Sequence, residues 1–355
     1  MSTSDIQPLR FGFFSTSRIG IKVAKAIAQS PFASLYAVAS RDLSKAEKYA
    51  QEQGFEKSFG SYDELLQCAE VQAVYVPVPT AMKEELVIKA AKAGKHVLCD
   101  KPFQSAESVK KMKQACEENG VFFMDNTMWV HNKRTHHLKN LFNTDDRFKK
   151  LVRVNSSFAN YFMDDLHDIR MNTDLEKTGC LGDLGWYSIR NILWAFNYEL
   201  PQKVVGYSKK FESDQENLRA IINFDGLLFF SGGRVATLNC SFEEAQRQTS
   251  EIVFPRHRIM IDDFVLTWDN EDIYFPRETY DKKGKFRIHA EHGRFETITC
   301  EESTQHVELF ESFYKGAKNP TENKHWGDES EKTMIVLDAL LESSEKDGTP
   351  IVIQQ

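Results

Sequence analysis

The sequence predicts an α/β protein in which a doubly wound parallel sheet is followed by an α+β domain with a large, mainly antiparallel open sheet. About the first 125 residues alternate short apolar strands with amphipathic helices, as is typical of parallel strands covered on both faces. After about Asn126, strands follow one another with few helices between them, which favours antiparallel pairing. The 355 residues exceed the roughly 250–300 at which a single core stops growing. We therefore expect two domains, 1–127 and 128–355, and the C-terminal helix and strand are candidates to pack back on the first.

In the first domain, apolar runs bounded by turn residues predict the strands, and amphipathic stretches with capping residues predict the helices between them. Ser44 is the expected cap of its helix, and Gly94 is the expected end of another. Right-handed crossovers make such a sheet doubly wound. The expected strands are 9–14, 35–40, 71–78, 96–100 and 121–125, and the expected helices are 19–29, 44–53, 63–68, 82–93 and 105–118.

In the second domain, turn signals rather than helices separate the short strands, which indicates an α+β domain. Asp225-Gly226 predicts a hairpin between strands 218–224 and 227–230, and Ser231-Gly232-Gly233 predicts the next loop. The other expected strands are 151–159, 203–208, 236–242, 252–254, 259–261 and 350–353, and the expected helices are 182–196, 308–316 and 330–344.

Composition and charge exclude several classes of protein. The net charge of -7 lacks the basic face that a nucleic-acid-binding protein needs, and no apolar run approaches the roughly 20 residues that cross a bilayer. The six cysteines lie far apart without a Cys-x-x-Cys pair, which suits reduced thiols in the cytosol. The pair His289-x-x-His292 lacks further ligands, so no metal is expected. We expect a cytoplasmic protein with a small-molecule substrate and neither a nucleic-acid nor a membrane partner.

The first strand runs into a turn and a helix at the place of the dinucleotide fingerprint Gly-x-Gly-x-x-Gly. Ser15, Ser17 and Gly20 occupy its three positions, so two glycines are replaced. Serine is small, and its hydroxyl can donate to a phosphate oxygen at the helix N-terminus. The alternative is an ordinary strand–turn–helix connection. The candidate pyrophosphate-binding residues are Ser15, Thr16, Ser17, Arg18 and Ile19.

The residues after the second strand indicate which dinucleotide binds. An acidic residue there would bind the ribose 2′-hydroxyl of NAD, but this chain has Ser40-Arg41. A hydroxyl and a guanidinium fork suit a 2′-phosphate. The sequence therefore favours NADP over NAD, although Arg41 beside Asp42 equally fits a solvated loop residue.

Three residues form a candidate proton-transfer group. Lys101 follows strand 96–100, at the carboxyl end where ligands of open α/β sheets bind. Asp183 and Tyr187 lie four residues apart near a helix start, where the helix dipole favours a carboxylate or a phenolate. A phenol ionises near pH ~10, and a lysine cation together with an oxidised nicotinamide would lower that value toward working pH. The alternative is a solvated lysine, a capping aspartate and a packed tyrosine.

Together these blocks resemble the Gfo/Idh/MocA family (glucose–fructose oxidoreductase, inositol dehydrogenase, rhizopine catabolism) over nearly the whole chain. The family's Glu-Lys-Pro corresponds to Asp100-Lys101-Pro102, and its Gly-x-Leu-x-Asp-x-Gly-x-His/Tyr corresponds to residues 179–187. Residues 123–129 match the strand that enters the second domain. The tyrosine form with Ser-Arg after the second strand is most similar to dihydrodiol dehydrogenases, xylose dehydrogenases and plant oxidoreductase-like members.

The resemblance implies a Rossmann domain that binds NADP or NAD, and a homodimer or homotetramer formed through the C-terminal sheet. It implies that Lys101 polarises the reacting oxygen, that Asp183 orients the substrate and that Tyr187 gives or takes the proton. The implied reaction is hydride transfer between nicotinamide C4 and a carbinol or carbonyl carbon of a sugar, polyol or cyclic diol. Further cofactor contacts are implied for Pro77, Pro79, Thr80, Lys83 and Asp100.

Several aromatic and polar residues suggest a substrate pocket, because aromatic faces beside hydrogen-bonding groups suit a sugar, cyclic polyol or aromatic diol. Taken singly, each of these residues fits a core or interface role better. Two other functions stay open: a non-catalytic NAD(P)-binding sensor or scaffold, and transient use of the cofactor in chemistry without net redox change, such as glycoside cleavage. The candidate substrate-binding residues are Trp129, His131, Asn132, Arg170 and Trp186.

Overall fold

The computed structural model describes residues 6–267 and 282–354. The chain divides into two compact units. One unit comprises Met1–Thr127 with His306–Glu331, and the other comprises Met128–Gln305 with Lys332–Gln355. Each unit has its own sheet.

The first unit contains a six-stranded parallel sheet in the order β3-β2-β1-β4-β5-β6. This order, which reverses between β1 and β4, is that of doubly wound dinucleotide-binding sheets, and the predicted fold class is confirmed. Every residue of β4 is buried, as expected of a strand covered on both faces. The strands are β1 (Leu9–Phe14), β2 (Ala33–Ala39), β3 (Lys57–Phe59), β4 (Ala73–Val76), β5 (His96–Cys99) and β6 (Phe123–Asp125).

The helices of this sheet begin and end largely where capping residues predict. Gly94, with φ of 72°, follows α4 as expected. The cap of α2 differs from the prediction: the Asp42 carboxylate accepts from the Lys45 amide, and the Ser44 hydroxyl donates to that carboxylate over 2.6 Å. Strand β3 was not predicted, because three residues are too few to show a periodicity. The helices are α1 (Arg18–Gln29), α2 (Leu43–Gln53), α3 (Tyr62–Gln67), α4 (Lys83–Lys92) and α5 (Ala106–Glu118).

The second unit contains a nine-stranded sheet in the order β14-β13-β12-β11-β7-β10-β9-β8-β15. Strands β7 and β10 pair in parallel, and the other neighbours pair antiparallel, so the predicted open sheet is confirmed. The strands are β7 (Arg153–Ala159), β8 (Lys203–Lys210), β9 (Ile221–Phe229), β10 (Val235–Ser241), β11 (Arg247–Val253), β12 (His257–Ile261), β13 (Lys282–Ala290), β14 (Phe295–Ser303) and β15 (Ile351–Val352).

The predicted hairpin at Asp225-Gly226 is wrong, because both residues lie inside the continuous strand β9. Gly226 pairs with Gly206 of β8. A Cβ on Gly206 would lie 2.4 Å from the Leu340 carbonyl oxygen, and one on Gly226 would lie 3.0 Å from Leu340 Cδ2. The two glycines thus allow a helix to pack closely on the sheet. The connection of β9 to β10 is instead Ser231–Gly233, the second predicted loop.

The remaining helices include α6, which was not predicted because its sequence is polar and its buried residues include Arg134 and Thr135. The side chain of Asn132 caps α6 by accepting from the Arg134 amide over 2.8 Å. Strands β13 and β14 were also not predicted, because exposed charged residues surround their few buried apolar positions. The helices are α6 (Lys133–Thr144), α7 (Trp186–Ala195), α8 (Gln305–Lys318) and α9 (His325–Glu345).

Two kinds of feature are absent from residues 6–267 and 282–354. No helix there has the length and apolar character that crossing a membrane requires. Within the same described residues, no three histidine, cysteine or acidic side chains are grouped so that they could hold a metal ion.

Candidate functional site

The carboxyl ends of β1 and β4 lie side by side in the first unit, where the strand order reverses. In doubly wound sheets, ligands bind outside the strand ends at this position. Ser15 follows β1 and Pro77 follows β4, and the Ser15 hydroxyl donates to the Pro77 carbonyl over 3.3 Å. The structure thus brings two predicted cofactor-binding residues together at this edge.

The turn after β1 has a serine in a left-handed conformation at the first glycine position of the dinucleotide fingerprint. Ser15 has φ of 79°, a left-handed conformation that glycine adopts most readily. Its amide donates to the Ala39 carbonyl of β2 over 2.9 Å, which fixes the turn against the sheet. Gly20 allows close packing, because a Cβ there would lie 2.6 Å from the Tyr49 hydroxyl oxygen. Pyrophosphate binding by this turn stays a prediction.

Helix α1 begins directly after this turn. The Ser17 hydroxyl accepts from the Gly20 amide over 3.2 Å and caps the helix, a bond that does not use the hydroxyl proton. The first turn of α1 contains no acidic residue, so its own side chains do not oppose an anion at the positive end of the helix dipole. Thr16, like Ser15 and Ser17, is half-buried, whereas Arg18 and Ile19 are exposed.

The end of β2 carries the two residues that predict NADP. The Ser40 amide donates to the Phe59 carbonyl of β3 over 3.1 Å, and Arg41 is exposed. Hydrogen bonds from the Ser44 hydroxyl and then the Lys45 amide lower the pKa of Asp42. The Asp42 carboxylate therefore serves as a helix cap, and Arg41 presents its guanidinium at the surface.

Lys101 follows β5 directly and is half-buried. The neighbouring Asp100 carboxylate accepts from the Tyr75 hydroxyl and from the Asn126 side-chain amide, each over 2.8 Å. Burial raises the pKa of Asp100, while the Lys83 charge and these hydrogen bonds act in the opposite direction. Asp100, the acid of the Asp100-Lys101-Pro102 motif, thus binds protein groups, and its contact with a cofactor stays a prediction.

Thr80 and Lys83 contact the segment that follows Lys101. Lys83 is 2% exposed, and its ammonium donates to the Pro102 carbonyl over 2.7 Å. The Thr80 hydroxyl donates to the same carbonyl over 3.5 Å, and the Lys101–Pro102 peptide bond is cis. The two hydrogen bonds to the Pro102 carbonyl hold the segment after Lys101 in place. Cofactor contacts of Thr80, Lys83 and Pro79 stay predictions.

In the second unit, Arg170 bridges two carboxylates. Its Nε lies 2.7 Å from Asp183 Oδ2, and its Nη1 lies 3.0 Å from Asp168 Oδ1. The charge of Asp183, and then that of Asp168, raises the pKa of Arg170 against the effect of burial. The guanidinium carbon also lies 5.2 Å from the centre of the Phe162 ring. The structure thus joins a predicted catalytic residue to a predicted substrate-binding residue.

Tyr187 is half-buried at the start of α7. Its ring packs edge-on against Phe158 of β7, with centroids 5.6 Å apart, and its hydroxyl lies 3.9 Å from Met128 Sδ. The preceding Leu181–Gly185 is a π-helical turn rather than the α-helix that was predicted. Such turns are frequent at functional sites. A Cβ on Gly185 would lie 3.0 Å from Cys240 Sγ, so this glycine allows close packing on β10.

The other four predicted substrate-binding residues lie in the interior. Trp129, His131, Asn132 and Trp186 are each at most 2% exposed. Trp129 packs edge-on against two aromatic rings, and Asn132 is the cap of α6. These contacts give Trp129 and Asn132 structural roles, and substrate binding by all four residues stays a prediction.

Sequence reasoning missed three residues that contact the predicted site residues. Asp168 pairs with Arg170, while Tyr75 and Asn126 bind the Asp100 carboxylate. Two weak signals existed in the sequence: a tyrosine hydroxyl inside an otherwise apolar strand, and an amide directly after the end of β6. A polar atom in a buried strand requires a partner.

Comparisons with known proteins agree with this geometry. The family model described as "Oxidoreductase family, NAD-binding Rossmann fold" matches residues 9–127, and the model described as "GFO/IDH/MocA C-terminal domain" matches residues 144–261.

D-xylose 1-dehydrogenase (NADP(+)) 2 of Haloferax volcanii is 27% identical over 339 residues, which are 95% of this chain and 98% of that protein. Uncharacterized oxidoreductase ORF334 of Rhizobium meliloti is 30% identical over 259 residues, 71% of this chain and 74% of that one. The structure of KijD10, a 3-ketoreductase from Actinomadura kijaniata in complex with NADP and TDP-benzene, has a TM-score of 0.82 at 20% identity, covering 95% of this chain and 98% of that one.

Proposed function

The chain belongs to the Gfo/Idh/MocA family of NAD(P)-dependent oxidoreductases, and from this premise we propose that it transfers a hydride between nicotinamide C4 and a CH–OH or C=O carbon of a sugar, polyol or cyclic diol. One observation supports the proposal. The turn of residues 15–19 after β1, Ser40-Arg41 after β2 and Lys101 after β5 all lie at the carboxyl edge of the parallel sheet. The similarity to a xylose dehydrogenase supports a sugar or polyol as substrate.

NADP is the proposed cofactor, with NAD as the alternative. The turn Ser15–Ile19 (residues 15–19) would hold the pyrophosphate, and Ser40 with Arg41 would hold the 2′-phosphate through a hydroxyl and a guanidinium. When bound, the nicotinamide supplies or accepts the hydride at its C4.

Lys101, Tyr187 and Asp183 have distinct proposed roles. Lys101 polarises the reacting oxygen as a cation, and Tyr187 gives or takes the proton of that oxygen. Asp183 orients the substrate by accepting hydrogen bonds from its hydroxyl groups. The ion pair of Asp183 with Arg170 supports this role, because a paired carboxylate favours its charged form and does not compete for the proton.

Lys101→Ala tests the assignment of Lys101. We expect turnover of D-xylose, other aldoses or cyclic diols with NADP to fall by about 10²–10⁴-fold, the usual contribution of a positioned acid or base. NADPH binding, followed by nicotinamide fluorescence, should persist. Lys110→Ala is the matched control, because Lys110 is exposed on α5. Full turnover in the Lys101 variant would remove the catalytic role from this residue.

A non-catalytic NAD(P)-binding sensor is the second candidate, because Ser15 and Ser17 replace glycines of the fingerprint. The left-handed Ser15 supports binding but says nothing about turnover. Tight NADPH binding without any change in nicotinamide absorbance over the whole substrate panel would favour the sensor.

We also propose that the protein forms a homodimer or homotetramer through the nine-stranded sheet and is cytoplasmic. Tyr207 of β8 and Leu227 of β9 are 66% and 40% exposed on adjacent strands. The six cysteines are free thiols, which supports a reducing compartment. Light scattering should give an oligomer that Leu227→Lys weakens, whereas a monomeric wild-type protein would contradict the assembly.

A further inference from the structure

Tyr75 places a phenol hydroxyl in the middle of the parallel sheet. The residue is fully buried, and the other residues of β4 are alanine and valine. Its hydroxyl donates to Asp100 Oδ2 over 2.8 Å. The Asn126 amide donates to Asp100 Oδ1 over 2.8 Å and lies 3.4 Å from the Tyr75 hydroxyl. Three residues from the ends of β4, β5 and β6 therefore form a closed hydrogen-bonded cluster directly before Lys101.

The donor of this cluster keeps its proton. Burial, and then the charge of Asp100, raise the pKa of Tyr75 well above its ordinary value. A phenol whose pKa lies well above its ordinary value keeps its proton at neutral pH and so donates there. A buried carboxylate without such donors would favour its neutral form, because desolvation penalises charge. The two hydrogen bonds thus favour the ionised form of Asp100.

The charges around Asp100 come from three elements. Lys83 of α4 and Lys101 after β5 are cations that favour the carboxylate. On the opposite side, burial raises the pKa of the Cys99 thiol, so this neighbour stays neutral. Asp125 of β6 accepts from the Ser330 hydroxyl, which directs that second carboxylate to a different partner. Asp100 is therefore the acid that lies next to Lys101 in the chain and interacts with its charge.

We propose that Tyr75 is a positioning residue of the reaction: together with Asn126, it fixes the Asp100 carboxylate at the end of β5 and thereby holds the segment that presents Lys101 to the reacting oxygen. The proposal rests on the proposed function of Lys101. The proposal also accounts for Asp100 in place of the glutamate of the family motif. The shorter aspartate side chain is held by hydrogen bonds to Tyr75 of β4 and to Asn126 after β6.

Two measurements test the proposal, and the first needs no substrate. The first follows the side-chain carboxyl of Asp100 by NMR in protein labelled with ¹³C-aspartate, with the Asp100→Asn spectrum as the assignment. Tyr75→Phe should raise the pH midpoint of Asp100 by about one to two units, the equivalent of one hydrogen bond to a charged group. Tyr36→Phe is the matched control, because Tyr36 is a buried tyrosine of β2 with no bond to Asp100.

The second measurement is kinetic. Tyr75→Phe should lower kcat by up to about 10²-fold and leave the Kd of NADPH unchanged, because a misplaced reacting group costs rate rather than cofactor binding. An unchanged Asp100 midpoint in a folded Tyr75→Phe protein, or an unchanged kcat, would overturn the proposal. If Tyr75→Phe does not fold, Asn126→Ala replaces it in both measurements. A Lys101→Ala enzyme with full turnover refutes the proposed function instead, and the Asp100 titration does not depend on that result.

Discussion

We expect Arg41→Ala to weaken the binding of NADPH and to leave the binding of NADH unchanged. The guanidinium follows β2 at the surface, and its acidic neighbour Asp42 serves as the cap of α2. A hydrogen bond to a charged group contributes about 1.5–3 kcal/mol, and solvent screening at an exposed residue favours the lower part of that range. A loss of about 1.5–2 kcal/mol corresponds to a Kd for NADPH that is about 10–30-fold larger.

Nicotinamide fluorescence measures both dissociation constants on the same protein. Lys45→Ala is the matched control, because Lys45 is an exposed cation in the first turn of α2, which begins two residues after Arg41. The loss for NADPH should also shrink as salt is added, since screening weakens charge–phosphate contacts. Equal weakening of NADPH and NADH, or an effect of Lys45→Ala as large as that of Arg41→Ala, would refute a 2′-phosphate contact.

Two further predictions concern stability. Burial, and then the Lys318 charge, lower the pKa of His96 from 6.5 to about 4. Because the unfolded chain binds the proton first, stability is full above pH ~6.5 and falls between pH ~6.5 and ~4, by at most about 3 kcal/mol. Urea midpoints should show a weaker loss in His96→Gln, and an identical pH profile for that variant and wild type would contradict it. Gly206→Ala should cost about 1–3 kcal/mol, because its Cβ would meet the Leu340 carbonyl at 2.4 Å. Gly60→Ala, whose Cβ would meet only ordinary contacts at 3.6 and 3.8 Å, is the thermal-unfolding control, and an equal Tm for both variants would argue against close helix packing.

The alternating pattern of the first domain predicted its parallel sheet, because periodicity and caps are local properties of the chain. The short strand β3 and the polar helix α6 were not predicted, because neither shows a clear apolar periodicity. Asp225-Gly226 was assigned to a turn because a local pattern does not show that Leu340 will pack on these glycines. The family resemblance, carried by three motifs at fixed spacing, is confirmed by matches to both domains.

For the candidate site, the sequence predicted which residues follow the strand ends but not what they bind. Ser15 was expected in the turn after β1 that would bind the pyrophosphate. Its left-handed backbone conformation became known only from the three-dimensional structure. Asp100 and Lys83 were expected to contact the cofactor. The structure gives Asp100 hydrogen bonds to Tyr75 and Asn126, and gives Lys83 a bond to the Pro102 carbonyl. Such partners lie 19 to 26 residues away, so no short motif encodes them.

In the proposed reaction Lys101 and Tyr187 act on one reacting oxygen, and a double-mutant cycle tests this shared role. Lys101→Ala and Tyr187→Phe should each lower kcat by about 10²–10⁴-fold, and the double variant should lose no more than the more damaged single variant, because groups that act as a unit are not additive. Losses that multiply in the double variant, or a single variant that keeps wild-type turnover, would contradict a shared role.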